Sequence, residues 1–220
     1  IDHSHADAIL AISNRTDGEV ICRELFGDRV IYLPWIMPGF PLAKAVADAS
    51  EAHPEAIGAV LHKHGLFTWG DTADEALDLH RELVGLAADH YGEQRAVVLG
   101  ASAQPTAAAC DLLPALRGAM GTEPRLVMTV RDDPWILAAL EHEDLASVMY
   151  TMPLTPDHSI RTKGLPMILQ PGDDIDEALA SYREGYETYY RDGCAANGDR
   201  IALDANPRVV LVPGLGLITC

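Results

Sequence analysis

At 220 residues and 48% hydrophobic content the chain can bury one large core or two modest ones, and no apolar run approaches the roughly 20 residues that cross a bilayer. Its formal charge of −17, from 33 acidic against 16 basic residues, repels nucleic acid and anionic membranes and leaves a small molecule or a protein as the expected partner. Cys22, Cys110, Cys194 and Cys220 lack C-x-x-C spacing, which suggests neither a disulfide framework nor a thiolate metal site and fits a reducing cytoplasm.

Apolar periodicity places a helix near 6–13, a strand near 30–33, a helix near 42–53 and a strand near 57–61, an α/β pattern. Thr72 and Glu75 form a T-x-x-E capping signature for a long helix with Ala76, Leu79, Leu83, Leu86 and His90 at helical spacing. That helix ends at Tyr91-Gly92-Glu93, and AVVLG at 96–100 opens a new unit, so the expected domains are 1–95 and 96–220. The second unit continues with a helix, the strand LVMTV at 126–130, a helical ILAALEHED, PMILQ, a helix from Ile175 to Tyr190 and a closing strand RVVLV. Asp132-Asp133 and Asp173-Asp174 precede helices and read as caps. No internal repeat is expected, and the ends, Ile1 and the apolar stretch closing on Cys220, read as those of a piece of a longer polypeptide.

His3 and His5 stand two apart in IDHSHADAIL, and strand alternation would point both imidazoles to one side. Alone, the pair reads either as ligands or as chance neighbours. A second pair, His62 and His64, follows an apolar strand in AVLHKHGLFTWG, with Gly65 permitting a sharp turn. Three histidines from two strand ends would supply the nitrogens of a zinc site with room for a carboxylate or a substrate oxygen. His158, Arg161 and Lys163 form either an anion site suited to a sugar phosphate or a turn of local salt bridges. His53, His80, His90 and His142 have no partner at metal spacing and read as structural. Neither VVLGASAQPTAA nor VPGLGL completes the glycine pattern of a dinucleotide loop.

HSHADA and, some 60 positions on, HKHGLFTWGDTADEA resemble the class II aldolase/adducin family over roughly residues 1–95. The resemblance implies an α/β/α sandwich followed by a second α/β connecting domain, with zinc held by His3, His5 and His64 but not by His62. It also implies an acid/base glutamate and phosphate-holding residues ahead of Ile1. The tyrosine that some members use as proton donor has no aligned counterpart, since Glu24 falls near that spacing, and Tyr32 is the nearest guess. DHSHADAIL, LPWIMPGFPLAK, LTPDHSIRTK and PRVVLVPGLGL are further similar to bifunctional rhamnulose-1-phosphate aldolase/alcohol dehydrogenase proteins. That similarity implies zinc-dependent cleavage of a deoxy-ketose 1-phosphate to dihydroxyacetone phosphate and lactaldehyde, a homo-oligomer, and NAD binding only beyond this chain. The rival readings are an adducin-like interaction domain that needs no metal and an accessory domain that serves substrate channelling or assembly for an NAD-dependent alcohol/aldehyde dehydrogenase.

Overall fold

The computed structural model describes residues 1–93, 109–121 and 126–220. Contacts divide the chain into two units, Ile1–Val97 with Pro153–Ser159 and Val98–Met152 with Ile160–Cys220. The AVVLG stretch and the boundary placed at residue 95 lie outside the described residues.

In the first unit, β1 (Asp2–Ser4), α1 (Asp7–Ser13), α2 (Gly18–Phe26), β2 (Val30–Leu33), α3 (Phe40–Ala52), β3 (Gly58–Leu61), β4 (Gly65–Thr68) and α4 (Ala73–Glu93) follow in order. The sheet runs β1-β4-β3-β2, with β2 and β3 parallel and the other pairs antiparallel. Strand β3 is buried along its whole length because helices cover both faces. Val60 and Leu66 pack with Ile9, Ile12, Phe26 and Leu83 from α1, α2 and α4, whereas Ala59, Leu61 and Phe67 pack with Leu42 and Val46 of α3. This is the three-layer α/β arrangement expected. Helix α4 begins as its capping signature requires, since the Glu75 N–H donates to Thr72 Oγ1 at 3.1 Å. The Glu75 carboxylate accepts from Asp71 N at 2.8 Å, one residue further back than a capping box needs. Helix α2 was not foreseen, because glycines at both its ends punctuate GEVICRELF like a loop. A Cβ on Gly18 would meet the Ser13 carbonyl oxygen at 2.5 Å, so glycine is what lets α2 start against the end of α1.

The remaining elements are α5 (Ala109–Met120), β5 (Thr129–Arg131), α6 (Pro134–Leu140), α7 (Leu145–Met149), α8 (Pro156–Arg161), β6 (Met167–Ile168), α9 (Ile175–Asn197), β7 (Val209–Val212) and β8 (Gly216–Thr219). The strand expected at 126–130 is displaced to 129–131. Asp174 caps α9 by accepting from Glu177 N at 3.0 Å, but Asp133, at the start of α6, makes no side-chain cap and pairs with Arg131.

The second sheet runs β5-β8-β7-β6, with β6 and β7 parallel and the other pairs antiparallel. Its order and directions are those of the first sheet, which overturns the expectation of no internal repeat. Equivalent residues follow from register: Leu61 faces Gly65 and Val212 faces Gly216, while His3 faces Phe67 and Val130 faces Ile218. Ile9-Leu10-Ala11 of α1 corresponds to Ile136-Leu137-Ala138 of α6, and Gly65-Leu66-Phe67-Thr68 to Gly216-Leu217-Ile218-Thr219. Pro38-Gly39 precedes α3 as Pro171-Gly172 precedes α9. The repeat is hidden in sequence because the spacing between equivalent residues grows along the chain, leaving no fixed period to detect. Among the described residues no helix is long and apolar enough to cross a membrane.

Candidate metal centre

The β3–β4 turn and the end of β1 create the site. Lys63 adopts a positive φ of 59° and the His64 N–H donates to the Leu61 carbonyl at 3.0 Å, closing a tight turn that leaves His64 beside the sheet edge. Gly65, with φ 151°, brings the chain so near β1 that a Cβ there would lie 2.2 Å from the Ser4 carbonyl oxygen. His3, His5 and His64 therefore converge: their ring centroids are 4.9, 5.1 and 5.0 Å apart, and one nitrogen from each lies within 4.8 Å of the others.

Hydrogen bonding decides which nitrogens are offered. His3 Nδ1 donates to the Leu66 carbonyl at 2.9 Å, which leaves Nε2 with its lone pair, and the ring stacks on Phe67 at 4.1 Å between centroids. His5 Nδ1 donates to Asp157 Oδ2 at 2.7 Å, and its Nε2 is buried without a partner. His64 Nδ1 is likewise buried and unpartnered. Buried polar atoms are seldom left unsatisfied, so two such nitrogens on adjacent rings require an explanation. A cation bound by their lone pairs supplies one, and three neutral imidazoles with an open fourth position suit zinc.

Burial, followed by the repulsion of His3 and His5, pulls the His64 pKa below its ordinary value. Burial does the same for His80 and, more weakly countered by its bond to Leu66, for His3. Because the folded state disfavours these protons, the unfolded chain binds them first as pH falls below about 6.5, and stability is lost in that window. Metal-free protein is thus expected to melt at a lower temperature at pH 5.5 than at pH 7.5, and by a smaller difference in His64→Ala. Equal differences in the two proteins, measured by calorimetry, would contradict this.

Behind β1 a buried chain of bonds fixes the strand. Thr68 Oγ1 donates to the Ala76 carbonyl at 2.9 Å, so it accepts from His80 Nδ1 at 3.0 Å, and His80 Nε2 accepts from Ser4 Oγ at 2.6 Å. Ser4, between His3 and His5, is in this way tied to α4. His80 is structural, as expected, but its sequence position gave no sign that it braces the strand that carries His3. Asp157 was also missed: it lies 152 residues from His5, among cationic neighbours that drew attention instead.

The other nominated residues are placed differently. Tyr32 lies on the opposite sheet face from His3, packed in the α1, α2 and α4 core, with its hydroxyl 2.6 Å from His62 Nδ1 and 3.4 Å from the Ser13 carbonyl. Burial pushes its pKa up to about 12. It is therefore turned away from the three histidines. His158 Nδ1 lies 2.6 Å from Thr155 Oγ1. Lys163, in the second unit, donates to the carbonyls of Asp204 and Asn206 and sits 4.3 Å above the Tyr186 ring. Burial lowers it to about 8, while the two carbonyls favour the ammonium. Lys163 lines a cavity of about 530 Å³ with Tyr150, Met152, Tyr182, Tyr186 and Tyr189. The lysine is committed to carbonyls, Tyr182 donates to the Leu165 carbonyl and Tyr186 accepts from Leu203 N, so these polar groups serve the protein itself.

Residues 1–91 match the family model described as Class II Aldolase and Adducin N-terminal domain, and residues 107–220 match Aldolase class II, second domain. The chain belongs to the class II aldolase family. Family membership supports an aldolase-type function. In the second unit of this aldolase chain the positions equivalent to His3, His5 and His64 are Val130, Asp132 and Leu215, which cannot form such a cluster. The chain is 26% identical over 237 residues to a Bacillus subtilis (strain 168) protein named uncharacterized oxidoreductase YuxG, covering 99% of this chain and 34% of that protein. It thus spans about a third of that relative's length. A solved structure of the N-terminal class II aldolase domain of a conserved protein from Thermoplasma acidophilum is 44% identical, covers 40% of each chain and has a TM-score of 0.38.

Proposed function

We propose that the chain is the aldolase part of a longer protein and cleaves a deoxy-ketose 1-phosphate of the rhamnulose 1-phosphate type into dihydroxyacetone phosphate and lactaldehyde. The observation that carries this reading is the convergence of His3, His5 and His64 with two buried, unpartnered ring nitrogens. When bound there, zinc supplies Lewis-acid stabilisation of the negative charge that develops on the substrate oxygens as the carbon–carbon bond breaks. The chain's own task is to hold three neutral imidazoles in place. Desolvation lowers the proton affinity of His3 and His64, which favours the neutral rings, while the Leu66 carbonyl fixes one ring and Asp157 fixes another. The oxidoreductase name of the Bacillus relative, of which this chain covers 34%, supports an NAD-dependent alcohol dehydrogenase half elsewhere in the longer protein. Similarity to the bifunctional subfamily supports a homo-oligomer, and four scattered cysteines support a reducing cytoplasm.

The test is to incubate zinc-loaded protein with rhamnulose 1-phosphate and follow dihydroxyacetone phosphate through a coupled reductase. Product that disappears on chelation and returns with zinc is expected. Stoichiometric zinc without cleavage of this substrate would remove the substrate assignment. Protein that refuses zinc would remove the metal centre as well and favour an adducin-like interaction domain.

A further inference from the structure

We infer that Asp157 is a positioning residue for the metal centre, supplied from the stretch of sequence that matches the second-domain family model. The inference rests on the three-histidine site proposed above and adds a component that the histidine motifs do not contain. Residues 153–159 fold with the first unit although they lie within the 107–220 match. One hydrogen bond ties the segment to α1 and a second shapes it from within. Asn14 Nδ2, at the end of α1, donates to the Leu154 carbonyl at 2.9 Å. Thr155, 5% exposed, accepts from the His158 N–H at 3.3 Å and so fixes the first turn of α8, which carries Asp157.

From that turn the Asp157 carboxylate reaches His5 Nδ1 at 2.7 Å. A carboxylate can only accept in this bond, so the proton resides on Nδ1, and the lone pair of the buried Nε2 is offered to the cluster. Carboxylates behind ligand histidines set the tautomer and ring orientation and raise basicity, and their removal typically weakens metal binding about 10–100-fold. Asp157 is nearly half exposed, its side chain retaining 46% of its accessible surface, so solvent screening places the effect near 10-fold. The consequence is that the first unit's metal site depends on residues beyond its own contiguous sequence.

Asp157→Ala, Asp157→Glu and wild-type protein should be compared by zinc competition against a chromogenic chelator. Two-bond nitrogen–proton correlation spectra of the metal-free proteins report the His5 tautomer independently of metal and of activity. The alanine variant is expected to bind zinc about 10-fold more weakly and to lose the single Nδ1–H tautomer, with partial rescue in Asp157→Glu. A purely structural role would lower the melting temperature without changing the tautomer. Unchanged zinc affinity or an unchanged His5 tautomer in Asp157→Ala would overturn the inference while leaving the histidine site standing. Wild-type protein that takes up no zinc would overturn both.

Discussion

His64→Ala is expected to abolish stoichiometric zinc binding while leaving the fold intact. The reason lies in what the ring does without metal. His64 Nδ1 is buried with no hydrogen-bond partner, a state that costs roughly 1–3 kcal/mol, and truncation relieves that cost as it removes some apolar contact. The two effects oppose each other, so unfolding free energy should change by less than about 1 kcal/mol. His3→Ala should lose zinc equally but also lower stability, since its ring donates to Leu66 and stacks on Phe67. Loss of a ligand must exceed the roughly 10–100-fold penalty of losing a group behind a ligand. Plasma mass spectrometry of gel-filtered protein, paired with urea unfolding, checks both halves of the expectation. Zinc retained by His64→Ala at the wild-type level would show that the cluster does not need this ring.

The second large effect is expected at Gly65. Alanine there would place a Cβ 2.2 Å from the Ser4 carbonyl oxygen and 3.2 Å from the His5 ring, on a residue whose φ of 151° suits glycine. The obstruction is backbone, which cannot swing aside like a side chain. Either β1 separates from β4 or the turn reorganises, and in each case His3 and His5 leave His64. A loss of about 3 kcal/mol or more follows, combining an unfavourable φ with a clash in the sheet. Zinc binding should vanish even at temperatures where Gly65→Ala remains folded by circular dichroism. Wild-type stability and zinc content in that variant would mean that the close approach of β4 to β1 does not create the site. Gly216, with φ 137° and a Cβ position 2.4 Å from the Arg131 carbonyl oxygen, repeats the same geometry in the second sheet. There it supports a hairpin without metal ligands, which separates the turn's role in the fold from its role in the site.

The convergence of the three histidines in the candidate site was legible in sequence because it is tied to short spacings. H-x-H at the end of a strand and a histidine followed by glycine each state a local geometry, and the sheet brings the two together. The helices α1, α3, α4 and α9 were legible for a similar reason: their apolar residues recur at the helical period. What escaped was set by long-range structure. Asp157 meets His5 only because Asn14 and Leu154 dock a distant segment, and no local pattern records such docking. His80 braces Ser4 through a bond whose partners are 76 residues apart. Tyr32 was nominated by distance along the chain, whereas strand alternation sends its side chain to the other face. The internal repeat is a property of register and strand direction, and insertions such as the longer α9 erased its period.

Val130, Asp132 and Leu215 show what the same backbone becomes without the chemistry. Two copies of one topology stand in this chain, and the three converging histidines on which the proposed zinc site rests belong to one of them. The most direct measurement of that claim is anomalous diffraction from zinc-equilibrated crystals, recorded on both sides of the zinc absorption edge. A single anomalous peak enclosed by His3, His5 and His64, with Asp157 behind His5, is the predicted result. A peak elsewhere, or none in crystals shown to contain zinc, would contradict the account.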